Sequence, residues 1–162
     1  MADVQLRPVT DADDPLLQRV YASTRAEELA AVPWTAEQKA AFVAQQYAAR
    51  AAHYGQHYPG MTRHVIVVDG ADAGQLLVDR WEREIRIVDI ALLPEHRGGG
   101  AGTELLRGLM DEARTADKAL SIHVERMNPA LRLYERLGFA PVADEGVYVR
   151  MEWRADDRAP LT

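Results

Sequence analysis

The stretch "LLPEHRGGGAGTELL", Leu92–Leu106, places four glycines within five positions, directly after an apolar run and directly before a helical pattern. A backbone that bare at a strand-to-helix junction aims several N–H groups into one concavity, beside the positive end of the helix dipole. Such a concavity suits a phosphate or pyrophosphate. Side chains would hold the anion away from the amides, so this chemistry asks for glycine at Gly98, Gly100 and Gly102. Arg97 at the mouth offers a charged donor, and Thr103 a hydroxyl where the helix starts.

On the C-terminal side of this junction, Leu105, Leu106, Leu109, Met110 and Ala113 recur at helical spacing and predict a helix from Thr103 to about Thr115. On the N-terminal side, "EREIRIVDIALLP" predicts a long strand. Before it, "RHVIVVDG" and "GQLLVDRW" flank the turn "DGADAG", Asp69–Gly74, and predict an antiparallel hairpin. The chain opens with a short strand in "VQLRPV". A helix then starts in the Asp-rich segment Thr10–Pro15, shows Leu16, Leu17, Val20 and Tyr21 on one face, and runs to about Val32. A second helix opens at Thr35, whose spacing to Gln38 matches a capping box; Val43, Tyr47 and Tyr54 form its stripe, and "HYGQHYPG" ends it. After the glycine junction, "KALSIHVER" is the next strand. Asn128 before Pro129 reads as a helix cap and first-turn proline, Gly138 as the stop, and "GVYVRMEW" as the strand closing the sheet. The order is strand, two helices, three strands, helix, strand, helix, strand, which is a mixed α/β or α+β sheet. Residues 1–154 are expected to form a single domain and residues 155–162 a loose polar tail.

The composition narrows the function. A chain of 162 residues buries a real core, and 19 basic against 25 acidic residues give a formal charge of −6 with no long basic run. That argues against nucleic acid and anionic membranes as partners. The absence of cysteine excludes disulfides, thiolate nucleophiles and cysteine zinc sites. The N-terminus lacks an apolar signal core and no apolar run approaches the ~18 residues of a membrane span, so a cytoplasmic protein is expected.

Three phosphate loops compete for the glycine stretch. A Walker loop needs a lysine before its Ser/Thr, whereas Gly102 precedes Thr103. The dinucleotide fingerprint needs its last glycine where Thr103 stands and usually an early strand; Glu125, near the end of the following strand, keeps this reading open as the acid that would bind a ribose. The third is the pyrophosphate loop of an acyl-CoA transferase. "RGGGAG", Arg97–Gly102, matches the R/Q-x-x-G-x-G/A signature of the GNAT N-acetyltransferase superfamily, and "LYERLGF", Leu133–Phe139, matches its second marker. The element order matches as well, so the sequence resembles that superfamily over nearly its whole length. The resemblance implies a central, mostly antiparallel sheet with splayed strands flanked by helices, and acetyl-CoA as cosubstrate with no metal. It implies that the backbone of Arg97, Gly98, Gly99, Gly100, Ala101 and Gly102, with Thr103, holds the CoA pyrophosphate, and that Ala91 and Leu92 bind the pantetheine arm. Gly99 stands where the family often carries Lys or Arg, so one phosphate-facing charge is absent.

Acetyl transfer to an amine needs a neutral amine, a polarised thioester carbonyl and a proton for the departing thiolate. In family members a tyrosine at the position of Tyr134 donates that proton; the helical face it shares with Ala130, Leu133 and Leu137 also allows a core role. Asn128 reads either as a cofactor contact or as the helix cap. Two groups compete as base or amine-holding residue: His123, where some relatives carry a glutamate, and Asp89, an acid inside an apolar strand. Each could equally be a structural partner, Asp89 of Arg86 or Arg80. A main-chain N–H near Leu92 or Leu93 is expected to meet the oxyanion. Trp34, and the cluster His53, Tyr54, His57 and Tyr58, are the candidate substrate walls, and the spacing of His53 and His57 without a third ligand argues against a metal site. The resulting expectation is an N-acetyltransferase moving acetyl from acetyl-CoA to a primary amine of a small molecule or peptide by direct attack in a ternary complex. A non-catalytic acyl-CoA sensor and a dinucleotide-binding oxidoreductase are the alternatives, and a homodimer paired through the last strand is left open.

Overall fold

The computed structural model describes residues 2–155, so the expected tail lies, apart from its first residue, outside the described residues. The strands are β1 (Val4–Pro8), β2 (Thr62–Val68), β3 (Ala71–Arg80), β4 (Glu84–Leu92), β5 (Ala119–Glu125), β6 (Ala140–Glu145) and β7 (Tyr148–Trp153). The helices are α1 (Asp14–Ala30), α2 (Ala36–His57), α3 (Ala101–Ala116) and α4 (Leu131–Leu137). All seven strands join one sheet in the order β1-β2-β3-β4-β5-β7-β6. β4 and β5 pair in parallel across the α3 crossover, whereas β1/β2, β5/β7 and β6/β7 are antiparallel. This mixed α/β sheet is not the doubly wound parallel sheet of a dinucleotide-binding fold. None of the described helices is long and apolar enough to cross a membrane.

Packing divides the chain into two compact units. The first comprises the chain up to Leu77 with Ile90–Gly102, and the second Val78–Asp89 with Thr103 onward. In the first unit, Leu16 and Val20 of α1 bury against Val65 of β2 and Leu93, with Val9, Val67 and Ala91 packed around them. The four-residue stripe expected on α1, Leu16, Leu17, Val20 and Tyr21, is buried throughout. α2 begins at a reciprocal cap, and a short 3-10 turn, Asp11–Asp13, leads into α1. Thr35 and Gln38 exchange hydrogen bonds of 3.1 and 2.9 Å at α2, and the Thr10 N–H donates to Asp13 at 2.8 Å ahead of α1. In the second unit Leu106, Leu109 and Ala113 of α3 are buried, as the spacing predicts, and so are Leu120, Ile122, Met151 and Trp153 of β5 and β7.

Four expectations are corrected. The sheet has seven strands where six were read, because β6 is exposed along almost its whole length and contains Pro141. An edge strand of this kind has neither the apolar alternation nor the run that marks a strand in sequence. β7 therefore lies between β5 and β6, and the last strand presents no open edge for pairing with a second subunit. The turn before β3 is only Asp69–Gly70, both at positive φ (49° and 81°), so β3 begins at Ala71 and Gly74 lies inside the strand. α3 starts two residues earlier than expected, at Ala101. α4 starts later, at Leu131, because Asn128 closes a turn: its Oδ1 accepts the Ala130 N–H at 2.9 Å and its carbonyl the Leu131 N–H at 3.0 Å.

Arg7 on β1 ties these pieces of the first unit together. Its guanidinium donates to Asp13 at 2.7 and 2.9 Å and to Asp72 of β3 at 3.0 and 3.3 Å. The Arg7 bond, then the Thr10 N–H, hold the Asp13 carboxyl well below the usual carboxylate range. A depressed native pKa stabilises the fold above the unfolded value, near ~3.9, and that stabilisation is lost as pH falls. Asp13→Asn is therefore expected to lower Tm at neutral pH, with the gap to the parent closing as thermal melts are taken below about pH 4; a gap that persists unchanged in acid would contradict the role.

Candidate functional site

In the first unit the glycine junction is built from β4 outward. Gly74 of β3 faces the end of β4 so closely that a Cβ there would stand 2.0 Å from the Ala91 carbonyl oxygen and 3.0 Å from the Leu92 Cα. Only glycine admits that approach. Leu93 then buries its side chain and gives its N–H to the Ala73 carbonyl at 2.7 Å, so that amide is spent within the fold. A 3-10 turn, Pro94–His96, leads to Arg97, and Gly98 and Gly100 adopt φ of 81° and 89° before α3 begins at Ala101. Positive φ at alternate residues turns successive N–H groups to one side, and the first amides of α3 have no intrahelical partner. Added Cβ atoms at Gly98, Gly99 and Gly100 would meet nothing within 4 Å, so glycine is there for backbone shape and access. Gly102 sits in the first turn of α3, near the Leu92 side chain.

Arg97 differs from expectation. Its Nε donates to the Leu92 carbonyl at 2.9 Å and its Nη2 to Ser23 Oγ on α1 at 3.1 Å. The guanidinium is drawn back to lock the turn to the end of β4 and to α1.

In the second unit the paired register of β4 and β5 runs from Glu84↔Ala119 to Ile87↔Ile122, and both strands extend past it, to Leu92 and Glu125. Alternation from that register puts Asp89 on the face of Ile87 and Ile122, and His123 on the opposite face with Arg86 and Ser121. Tyr134 of α4 is buried (5 % exposed) and packs edge-on against Phe139, with 5.7 Å between ring centroids. Burial, and secondarily the Asp89 charge, push its phenol well above the usual range. Asp89 and Tyr134 are thus electrostatically coupled, whereas His123 belongs to a different cluster. The His123 Nε2 lies 3.3 Å from Glu145 Oε1, and Arg150 is its cross-strand partner. Beneath it Arg86 donates to Ser121 Oγ at 2.8 Å and to Glu84 at 2.9 Å, and Ser121 also bonds Glu84. Arg80, the other arginine considered beside Asp89, forms an ion pair with Glu112 of α3. Asn128 is exposed, and its side-chain oxygen closes the turn described above.

Two members of the 53–58 cluster line a cavity. This cavity, of about 350 Å3 in the first unit, is lined by Tyr54 and Tyr58 together with Tyr21, Tyr47, Arg50 and Gln75. Gln75 follows Gly74 in β3, the strand next to β4 in the sheet. Trp34 lies elsewhere, 42 % exposed and packed edge-on against Phe42. His53 and His57 stack with ring centroids 4.0 Å apart, and among the described residues no group of three ligating side chains gathers. A larger groove between α1 and α2 is walled mainly by alanines and aliphatic stems and offers little chemistry. Gly74, Arg50 and Gln75 were not singled out in the sequence, and Tyr21 was read only as part of the apolar face of α1. The one signal among them was a glycine too close to a turn to be recognised as part of a strand.

The histidine cluster is directly testable. Burial, then the charges of Arg86 and Arg150, lower the His123 pKa against an upward pull from Glu145. The imidazole is therefore neutral at pH 7. NMR titration should place its midpoint below the ordinary ~6.5, moving up in Arg150→Leu and further down in Glu145→Gln; an unshifted midpoint would remove the electrostatic account of this cluster.

The acetyltransferase (GNAT) family profile matches residues 18–139. Streptothricin acetyltransferase of Streptomyces lavendulae is 36 % identical over 90 residues, 53 % of this chain and 48 % of that protein, so the chain matches about half the length of this curated relative. The structure of PaiA N-acetyltransferase from Thermoplasma acidophilum in complex with coenzyme A superposes with a TM-score of 0.70 at 15 % identity, covering 94 % of this chain and 99 % of that one. YncA from Salmonella typhimurium, solved with its cofactor acetyl-CoA, gives 0.57 at 24 % identity, covering 96 % of each chain. With a family match extending from α1 to the end of the "LYERLGF" marker, the chain belongs to the GNAT acetyltransferase family.

Proposed function

We propose that this protein is an acetyl-CoA-dependent N-acetyltransferase that moves acetyl to a primary amine of a small molecule or peptide by direct attack in a ternary complex. The observation that carries the reading is the left-handed turn at Gly98 and Gly100, which feeds the end of β4 into the N-terminus of α3 in a chain of this family. Coenzyme A and acetyl-CoA in the PaiA and YncA structures support the cosubstrate, and the name of the streptothricin relative supports a small-molecule acceptor. The family match includes residues of both units, which supports treating residues 1–154 as one domain.

The glycine junction suits an acyl-CoA: open space around Gly98–Gly100 and backbone amides at a helix start. The backbone of Arg97–Gly102 and the Thr103 hydroxyl hold the pyrophosphate, Ala91 and Leu92 bind the pantetheine arm, and Asn128 adds an outer contact. Acetyl-CoA, when bound, supplies the acetyl group as a thioester. With the Leu93 N–H spent on Ala73, we assign the oxyanion contact to the Leu92 N–H. The Tyr134 phenol keeps its proton across the working pH range, because ionising beside Asp89 in a buried place costs too much. A raised pKa makes it a weaker acid in water, yet a thiolate expelled into an equally dry place is a stronger base for the same reason, so transfer from Tyr134 Oη stays matched. Asp89, on the same side of the sheet as Ile122, accepts the amine proton or holds the ammonium form. His123 faces the other way and serves the Glu145–Arg150 cluster.

Tyr134→Phe should lower kcat by roughly 10²-fold or more, the scale of general acid catalysis, while the acetyl-CoA Kd from calorimetry changes little. Equal turnover of the variant and parent would remove the acid role.

A further inference from the structure

The cavity walled by α1, α2, β2 and β3 has a lining whose charge says what enters it. Arg50 of α2 is held in an aromatic box: its guanidinium carbon is 5.1 Å from the ring centroids of both Tyr21 and Tyr54, and its Nε donates to the Tyr54 hydroxyl at 2.7 Å. This is the place that a cationic ligand would take in a tyrosine-lined pocket, and it is filled by a side chain that stays charged at any working pH. A second arginine, Arg63 of β2, lines the same cavity from an exposed position. Its charge reaches Tyr47, where it opposes the rise in phenol pKa caused by burial and by Asp14. Among the described residues lining the cavity none is acidic, while Gln75 of β3, buried and next to Gly74, adds an amide.

We propose that this cavity recognises the acceptor by an anionic group, so that the acceptor is an amino-acid-like amine whose carboxylate sits with Arg50 and Arg63 while its amine points toward β4. The proposal rests on the N-acetyltransferase reading and narrows its substrate class. It runs against the protein's formal charge of −6, which by itself favours a cationic amine. The local lining decides instead, because charges farther away than about 10 Å are largely screened at ordinary ionic strength.

The test compares initial acetylation rates for the common L-amino acids, the corresponding carboxamides and 1,5-diaminopentane, with acetyl-CoA binding measured on the same protein. The best amino acid should exceed its carboxamide by about tenfold or more in kcat/KM, the effect of one charge-assisted hydrogen bond. Arg63→Glu, a change at an exposed position, should erase or invert that preference while leaving the acetyl-CoA Kd in place. Equal or better turnover of carboxamides or the diamine by the parent protein, or a preference that survives in Arg63→Glu, would overturn the proposal. If acetyl-CoA binds and no amine is acetylated, the transferase reading fails. Calorimetric binding of the same amino acids and carboxamides to the CoA-loaded protein then decides the charge preference without turnover, with tighter binding of the amino acids supporting it and equal binding overturning it.

Discussion

The candidate site depends on the contact between Gly74 and the carbonyl of Ala91. A side chain at position 74 would occupy the space of the β4 backbone, so the strand could not end where it does. Because Gly74 lies within β3, its glycine is costly for strand stability and is retained for close approach. With β4 fixed there, Leu93 turns its side chain into the core and gives its amide to Ala73, and Arg97 reaches back to the Leu92 carbonyl and Ser23. The end of the strand, the turn and the first residues of α3 are thus fixed at successive points, which preorganises the backbone amides of the glycine turn.

A second constraint lies in the register of β4 on β5. Four paired positions decide that Asp89 shares the face of Ile122 and that His123 does not. A shift by one residue would exchange them. The same register separates two electrostatic groups: a buried phenol kept neutral beside a carboxylate, and an imidazole kept neutral among arginines. The first arrangement keeps the Tyr134 phenol protonated. The second is a polar ladder with Glu84, Arg86 and Ser121 at its base.

Much of this was legible in the sequence, for local reasons. The stripes of α1 and α3 announced their buried faces, Thr35 announced its capping box, and the glycine cluster announced a bare turn between β4 and α3. What was not legible depended on non-local pairing. β6 is exposed and carries no pattern; Gly74 looked like part of a turn until Asp69–Gly70 proved sufficient to make it. Which way Asp89 and His123 face follows from the partner strand, and Arg97 points inward only because Ser23, far away in sequence, is within reach. The tyrosine and arginine cavity draws on α1, α2, β2 and β3 at once, so its aromatic members could be suspected singly but not its charge.

The most direct test of the central claim is calorimetric titration with acetyl-CoA of the parent protein and of Gly74→Ala, with NADH as control. The account predicts micromolar acetyl-CoA binding by the parent, no NADH binding, and weakened acetyl-CoA binding in a variant whose circular dichroism shows that it still folds. Binding of NADH without acetyl-CoA, or full acetyl-CoA affinity in Gly74→Ala, would contradict it.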